Sequence, residues 1–338
     1  MKYYNNKTPN PNEYVYINGF GFENNPAAVR QKQLIKSYSS ILGTSIILLY
    51  ILRMFSGRML YSFSRILNYS SLSGQILRNS FDILGYGITF MLPFFLYGIG
   101  LGMPMRVAMP FKKPDKKVFG IVGMAMGCSV ISVAASQMLT AILNVVGIHS
   151  MEVHQSIPTD PIGICFFVIK AVVAAALIEE IVFRGFLLQS LRRFGDQFAI
   201  LISAIIFAAV HTNLHQFTTA FIMGLVLGFA VVVTGSLWTG IIIHGLHNTY
   251  LLALGYAELG MNEVSYKITL FTVGIVLITG FVVSLINLAR KSDHIFDLKV
   301  PKDSFNTCEK TKICFSTFSM ILVIILTVMQ TMRSVYLG

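Results

Sequence analysis

Residues 161–191 read PIGICFFVIKAVVAAALIEEIVFRGFLLQSL, and inside that apolar stretch stand Glu179, Glu180 and Arg184. Length makes the stretch a membrane-crossing helix, because a hydrocarbon core of about 30 Å takes roughly 20 apolar residues. The charged residues need a reason to be there, since each costs roughly 2.5–3.5 kcal/mol near mid-bilayer on insertion scales. Residues four apart on a helix share a face, whereas neighbours diverge by about 100°. Glu180 and Arg184 are therefore the natural ion pair, with the acid N-terminal to the base in the better order. That pair orients the helix and needs no further role. Glu179 points elsewhere, ~18 Å along the axis from Leu191 and so near mid-membrane. An ionisable residue left over at that depth is a candidate functional group by default.

The rest of the chain repeats the apolar theme. Mean hydropathy is +0.68, and charged residues make up 12% of the 338, about half the share usual in a soluble chain. Apolar runs fall at about 38–56, 83–103, 118–146, 161–191, 197–217, 218–235, 237–256, 267–289 and 313–331. They predict an all-α fold, a polytopic transmembrane helical bundle of about eight or nine spans. Residues 1–37 read as a polar cytosolic tail, with no apolar run near enough to the start for a signal peptide. Residues 38–289 form the membrane domain, with its functional core at about 160–255. Residues 290–312 are a polar linker, and 313–338 carry a last membrane span.

A net charge of +11 raises nucleic acid as a partner, but the basic residues cluster in short loops between apolar runs. Arg30, Lys32 and Lys36 precede the first run, Lys112, Lys113, Lys116 and Lys117 precede the third, and Arg192, Arg193, Arg290 and Lys291 follow later ones. Alternation of spans puts all of these on one side. Positive-inside topology thus explains the charge, with no nucleic acid, a cytosolic N-terminus and an integral protein of the cell (plasma) membrane. Arg58, Arg65 and Arg78 fall on the other side, a conflict that points either to an amphipathic segment in the first loop or to a misread first span. The cysteines Cys128, Cys165, Cys308 and Cys314 form no CxxC motif and read as ordinary thiols. Gly224 and Gly228, four apart, suit close helix packing.

Four of the seven histidines lie in two membrane segments. In Phe207-Ala208-Ala209-Val210-His211, the imidazole stands about 20 Å up the helix from Phe198, again near mid-depth, with Phe207 on its face. His215 follows one turn on, near the far boundary. In His244-Gly245-Leu246-His247-Asn248, His244 and Asn248 share a face and His247 is offset; Gly245 lets a neighbouring helix or an extended backbone approach.

A carboxylate held out of water is a stronger base than an exposed one and can take a proton from water near neutral pH. Neutral imidazoles position that water, and an Asn amide or a His N–H stabilises an oxyanion. Glu179, His211, His244 and Asn248 supply this set, which fits hydrolysis of a peptide bond. The same Glu179, His211 and His244 can instead hold zinc with one position open for water. One carboxylate, two histidines and an amide favour the metal-free form, and no other cofactor is called for. HExxH and Gly-x-Ser-x-Gly are both absent, which excludes a zincin and the serine hydrolases that use that elbow. Buried Glu and His also build the relays of proton-coupled membrane transporters, but the other spans offer little polar material for a path. A non-hydrolytic membrane scaffold or immunity protein is the third alternative.

Glu-Glu-x-x-x-Arg, then Phe-x-x-x-His, then His-x-x-x-Asn, in this order on successive apolar segments, resembles the CPBP family of CAAX-processing and bacteriocin-processing (Abi-type) intramembrane endopeptidases. The resemblance covers about 160–255. It implies a catalytic role for Glu179, with His211, His244 and Asn248 positioning water and oxyanion. It further implies a peptide or protein substrate at the lipid bilayer, a CAAX-type tail or a bacteriocin precursor. His215 and His247 lie outside the motif positions.

Overall fold

The structure is a computed structural model and describes residues 14–17, 21–24, 26–66, 71–114, 116–150, 157–291, 297–301 and 305–337. The start of the expected tail, the loop at 67–70 and parts of the expected linker lie outside these residues. The long helices are α1 (Pro26–Ile66), α2 (Leu72–Gly100) and α3 (Val118–Val145), then α4 (Pro161–Phe194). They continue as α5 (Asp196–Ala209), α6 (Leu214–Thr234), α7 (Leu237–Gly260), α8 (Glu263–Lys291), α9 (Thr307–Phe315) and α10 (Phe318–Met332). A single helical turn, Met105–Ala108, and two short antiparallel ribbons complete the described elements, β1 (Tyr14–Ile17) with β2 (Gly21–Asn24) and β3 (Ile148–Ser150) with β4 (Val335–Leu337).

Six of the helices, α1 to α4, α6 and α8, are long and apolar enough to cross a bilayer, and the bent pair α9–α10 makes a seventh span if counted as one. The all-α polytopic bundle is therefore present with fewer full spans than the apolar runs predicted. Two elements account for the difference. Helix α5 has 14 residues, about 21 Å at 1.5 Å each, short of a 30 Å core. Its chain turns back at Thr212, which takes a left-handed φ of 51°, and Asn213 caps the returning helix by accepting from the Gln216 N–H at 3.1 Å. Helix α7 is long enough, but it carries Thr239, His244, His247, Asn248 and Thr249 along its length.

The two ends of the bundle are chemically distinct. At one end the Leu237 N–H donates to the Pro110 carbonyl and Ser236 to that of Lys112. There too Lys310 Nζ donates to the Phe194 carbonyl at 2.6 Å, and Asp196 pairs with Arg192 at 2.7 Å. At the other end β3 pairs with β4, His149 stacks on Tyr336, and Tyr256 donates to the Pro158 carbonyl. The basic clusters of the connecting segments thus gather at one end, as the alternation of spans predicts. Arg58 and Arg78 lie on helical extensions toward the other: α1 continues to Ile66 and α2 begins at Leu72. Helix α1 also starts at Pro26, well inside the expected tail, and α9 takes up the end of the expected linker.

The main core joins α1, α2, α4 and α5 through Leu42, Phe94, Phe183, Phe186, Phe198 and Phe207. Outside it, Phe55, Leu84, Phe119, Ile268 and Phe271 are exposed, the arrangement expected where lipid rather than water surrounds the protein. Gly224 and Gly228 do pack closely. A Cβ on Gly224 would lie 2.9 Å from Ala204 Cα, and one on Gly228 would lie 3.3 Å from Ile200 and Leu188.

Candidate active site

The segment carrying the acidic pair is not a uniform α-helix. Ile169–Ala174 and Glu180–Leu187 are π-helical, separated by the α-helical turn Ala175–Glu179. A widened turn breaks the regular register of one helix against its neighbours, and such turns recur at functional sites. Here they flank Glu179 on both sides.

Glu180 and Arg184 form the expected ion pair, Nη1 to Oε1 at 2.8 Å, with both side chains fully buried. Arg184 Nη2 also reaches the Gly224 carbonyl at 3.3 Å, and its guanidinium lies 4.3 Å from the centre of the Phe207 ring. The pair does more than orient the helix, which corrects the reading from spacing alone. Glu180 Oε1 also accepts from His244 Nδ1 at 2.9 Å. One carboxylate has lone pairs for several donors, so it holds the arginine of its own helix and the imidazole of α7 together. Gly240 makes the approach of α7 possible, since a Cβ there would lie 2.5 Å from Glu180 Oε2.

With Nδ1 carrying the proton donated to Glu180, His244 turns Nε2 toward Glu179, 3.8 Å from Oε2. That separation exceeds a hydrogen bond, yet one water oxygen at about 2.8 Å from each atom spans it. Glu179 is 8% exposed and His244 4%, so a water between them would be largely shielded. Glu179 Oε1 accepts from the Tyr86 hydroxyl of α2. The carboxylate is thus held on one oxygen and turned toward the imidazole on the other.

His211 closes the α5 turn, and its Nδ1 donates to the Phe207 carbonyl at 2.7 Å, which leaves Nε2 as a lone pair when the ring is neutral. Both imidazoles pack edge-on against Phe207, with ring centres at 5.1 Å for His211 and 5.7 Å for His244. Phe207 also meets Phe183 at 5.1 Å, so one buried ring is the common wall for Arg184 and the two histidines. Asn248 stands one turn beyond His244 and donates through Nδ2 to the Ala171 carbonyl at 2.7 Å, in the first π-helical stretch. One amide hydrogen is thereby engaged, and the second is available to a ligand.

His215 is drawn away from this group. Its Nδ1 lies 3.2 Å from Ser136 and 3.1 Å from Thr140 of α3, which makes it a tie between α6 and α3. His247 is buried, and its Nδ1 has no hydrogen-bond partner among the described residues. The described residues contain no group of three His, Cys, Asp or Glu side chains arranged to hold a metal ion, and Glu179, His211 and His244 are among those described.

Tyr86 was not legible in the sequence as a site residue. Its only local signal is the spacing Asp82, Tyr86, Phe90 on α2, one face that meets α4 rung by rung. Asp82 pairs with Lys170, Tyr86 binds Glu179, Phe90 lies 6.3 Å from Phe183, and Tyr97 bonds Ser190 at 2.8 Å. Removing the phenol hydroxyl with Tyr86→Phe takes away a hydrogen bond to a charged group, which is worth about 1.5–3 kcal/mol. Turnover is expected to fall roughly ten- to a hundredfold if that energy holds Glu179 in its reactive position. Steady-state kinetics on a peptide substrate, beside a thermal melt showing the variant folded, measures it.

Residues 161–250 match the family model Rce1-like, type II CAAX prenyl endopeptidase. The matched segment contains Glu179, Glu180, Arg184, Phe207, His211, His244 and Asn248, whereas Tyr86 lies outside it. No curated protein and no solved structure matches the chain.

Proposed function

We propose that this protein is a CAAX-type intramembrane endopeptidase that hydrolyses a peptide bond near the C-terminus of a lipid-modified peptide at the membrane. The observation that carries the reading is the chain Glu180–His244–Glu179, with Nδ1 of the imidazole on one carboxylate and Nε2 facing the other. The match of residues 161–250 to the Rce1-like family supports the same substrate class.

In this mechanism a water lies between Glu179 Oε2 and His244 Nε2, donating one hydrogen to each. Glu179 takes a proton as the water oxygen attacks the carbonyl carbon of the scissile bond. His211 Nε2 orients water or substrate beside Phe207, and the second amide hydrogen of Asn248 donates to the developing oxyanion. Glu179 then delivers its proton to the amide nitrogen as the C–N bond breaks, leaving a new carboxyl group and a free amine. Glu180 fixes the tautomer of His244, the service a carboxylate gives a histidine in many hydrolytic sites. The basic end of the bundle faces the cytosol in the cell membrane, a placement supported by the clustering of Lys and Arg there.

The test is cleavage of a short prenylated peptide by the purified protein in liposomes, followed by mass spectrometry. The expected result is a single cut near the C-terminus, and a slower cut when the prenyl group is missing. A protein that is folded and leaves prenylated and unprenylated peptides intact would remove the peptidase assignment.

A further inference from the structure

Helix α5 ends inside the bundle, so its last carbonyls need donors from elsewhere. Arg53 of α1 supplies one, donating through Nη1 to the Val210 carbonyl at 2.6 Å. The Tyr50 hydroxyl lies 3.5 Å from the carbonyl of Ala209. A neutral side chain could cap a carbonyl equally well, and a guanidinium has five N–H donors. The charge therefore calls for its own explanation.

Arg53 sits deep. From Asp196 at the basic end, α5 rises about 21 Å to Val210, whose carbonyl Arg53 binds, and α1 runs about 20 Å beyond Arg53 to Ile66. A cation at such depth is unfavourable and marks a functional site by default. Arg53 is also exposed, and no carboxylate among the described residues pairs with it. The neighbouring cations differ: Arg184 is fully buried against Glu180, and Lys170 is paired with Asp82. The carbonyl that Arg53 binds belongs to Val210, the residue before His211, which places the guanidinium beside the candidate active site.

We propose that Arg53 is a binding site for the chain-terminal carboxylate of the peptide, so that the bundle measures the distance from the scissile bond to the end of the substrate. This rests on the endopeptidase reading. Arg53 is bound to the residue next to His211, so a short C-terminal tail would carry the carboxylate from the scissile bond to the guanidinium. A carboxylate arriving that close to Glu179 meets a like charge, and Arg53 offsets it. The fork of a guanidinium also suits a carboxylate, which it can bind through two parallel hydrogen bonds.

The experiment measures binding, so that it reads separately from hydrolysis. A fluorescent prenylated peptide with a free C-terminal carboxylate, and its C-terminal amide twin, are titrated onto the full chain carrying Glu179→Gln in lipid nanodiscs. The carboxylate form should bind roughly tenfold tighter or more, as a charge-assisted hydrogen bond implies. Adding Arg53→Gln should abolish that preference while the amide twin binds as before, and Arg53→Lys should keep part of it. Equal binding of the two peptides to the Glu179→Gln chain overturns the proposal. So does an equal loss of both on Arg53→Gln, which would make Arg53 only the cap of α5. A preference that disappears when anionic lipid replaces zwitterionic lipid assigns Arg53 to a lipid phosphate and also overturns it. Cleavage of the same peptides by the unsubstituted chain, run alongside, tests the endopeptidase reading itself.

Discussion

Glu180→Ala is expected to lower stability by about 3–5 kcal/mol and to remove nearly all cleavage. The stability loss follows from Arg184, which is fully buried against Glu180 and would be left as an unpaired charge away from water. The activity loss has a second source, because His244 Nδ1 would lose the acceptor that turns Nε2 toward Glu179. A double variant separates the two. Glu180→Leu with Arg184→Met replaces the ion pair by apolar groups of similar volume, a change that is often neutral or stabilising for a buried pair. Its thermal midpoint should recover most of the loss while cleavage stays low, since His244 remains without its partner. Recovery of both stability and cleavage would reduce Glu180 to a structural ion.

Glu179→Gln is the second large effect, and its signature is the reverse. The amide keeps the shape of the side chain and an oxygen to accept from Tyr86, so the melt should change little. Cleavage should fall about 10²–10⁴-fold, the range for loss of a positioned general base. Activity retained at the unsubstituted level would take Glu179 out of the chemistry.

Much of this site was legible before any coordinates, because its first constraint is local. The i, i+4 relation of Glu180 and Arg184 follows from helix geometry, as does the divergence of Glu179 from that pair. Mid-depth placement of His211 followed from counting residues along its apolar run, and the shared face of His244 and Asn248 from their spacing. Contacts between helices were not legible, since they depend on how each helix is rotated and how far it runs. Glu180 therefore looked fully occupied by Arg184, although His244 shares it. Tyr86 and Arg53 went unseen because they come from helices outside the motif-bearing segment.

The apolar runs outnumber the six or seven candidate spans among the described residues for a related reason. An apolar run at 197–217 looks continuous, yet the chain reverses at Thr212 and Asn213. That reversal ends α5 at the depth of Glu179 and leaves His211 at its tip. The π-helical turns around Glu179 likewise have no marker in an alanine- and valine-rich sequence. His215 matched the motif histidines in type but not in depth, and Ser136 and Thr140 of α3 hold it.

The most direct test of Glu179 as the base that activates water is cleavage of a prenylated peptide in H₂¹⁸O by the purified chain in liposomes, over many turnovers. Mass spectrometry then reads both the product and the proteolytic fragment of the enzyme that contains Glu179. Attack by water on the substrate carbonyl predicts one ¹⁸O in the new carboxyl group of the product and none in the Glu179 fragment. Isotope accumulating in the Glu179 fragment would mean that the carboxylate attacks the substrate itself, and would contradict the mechanism.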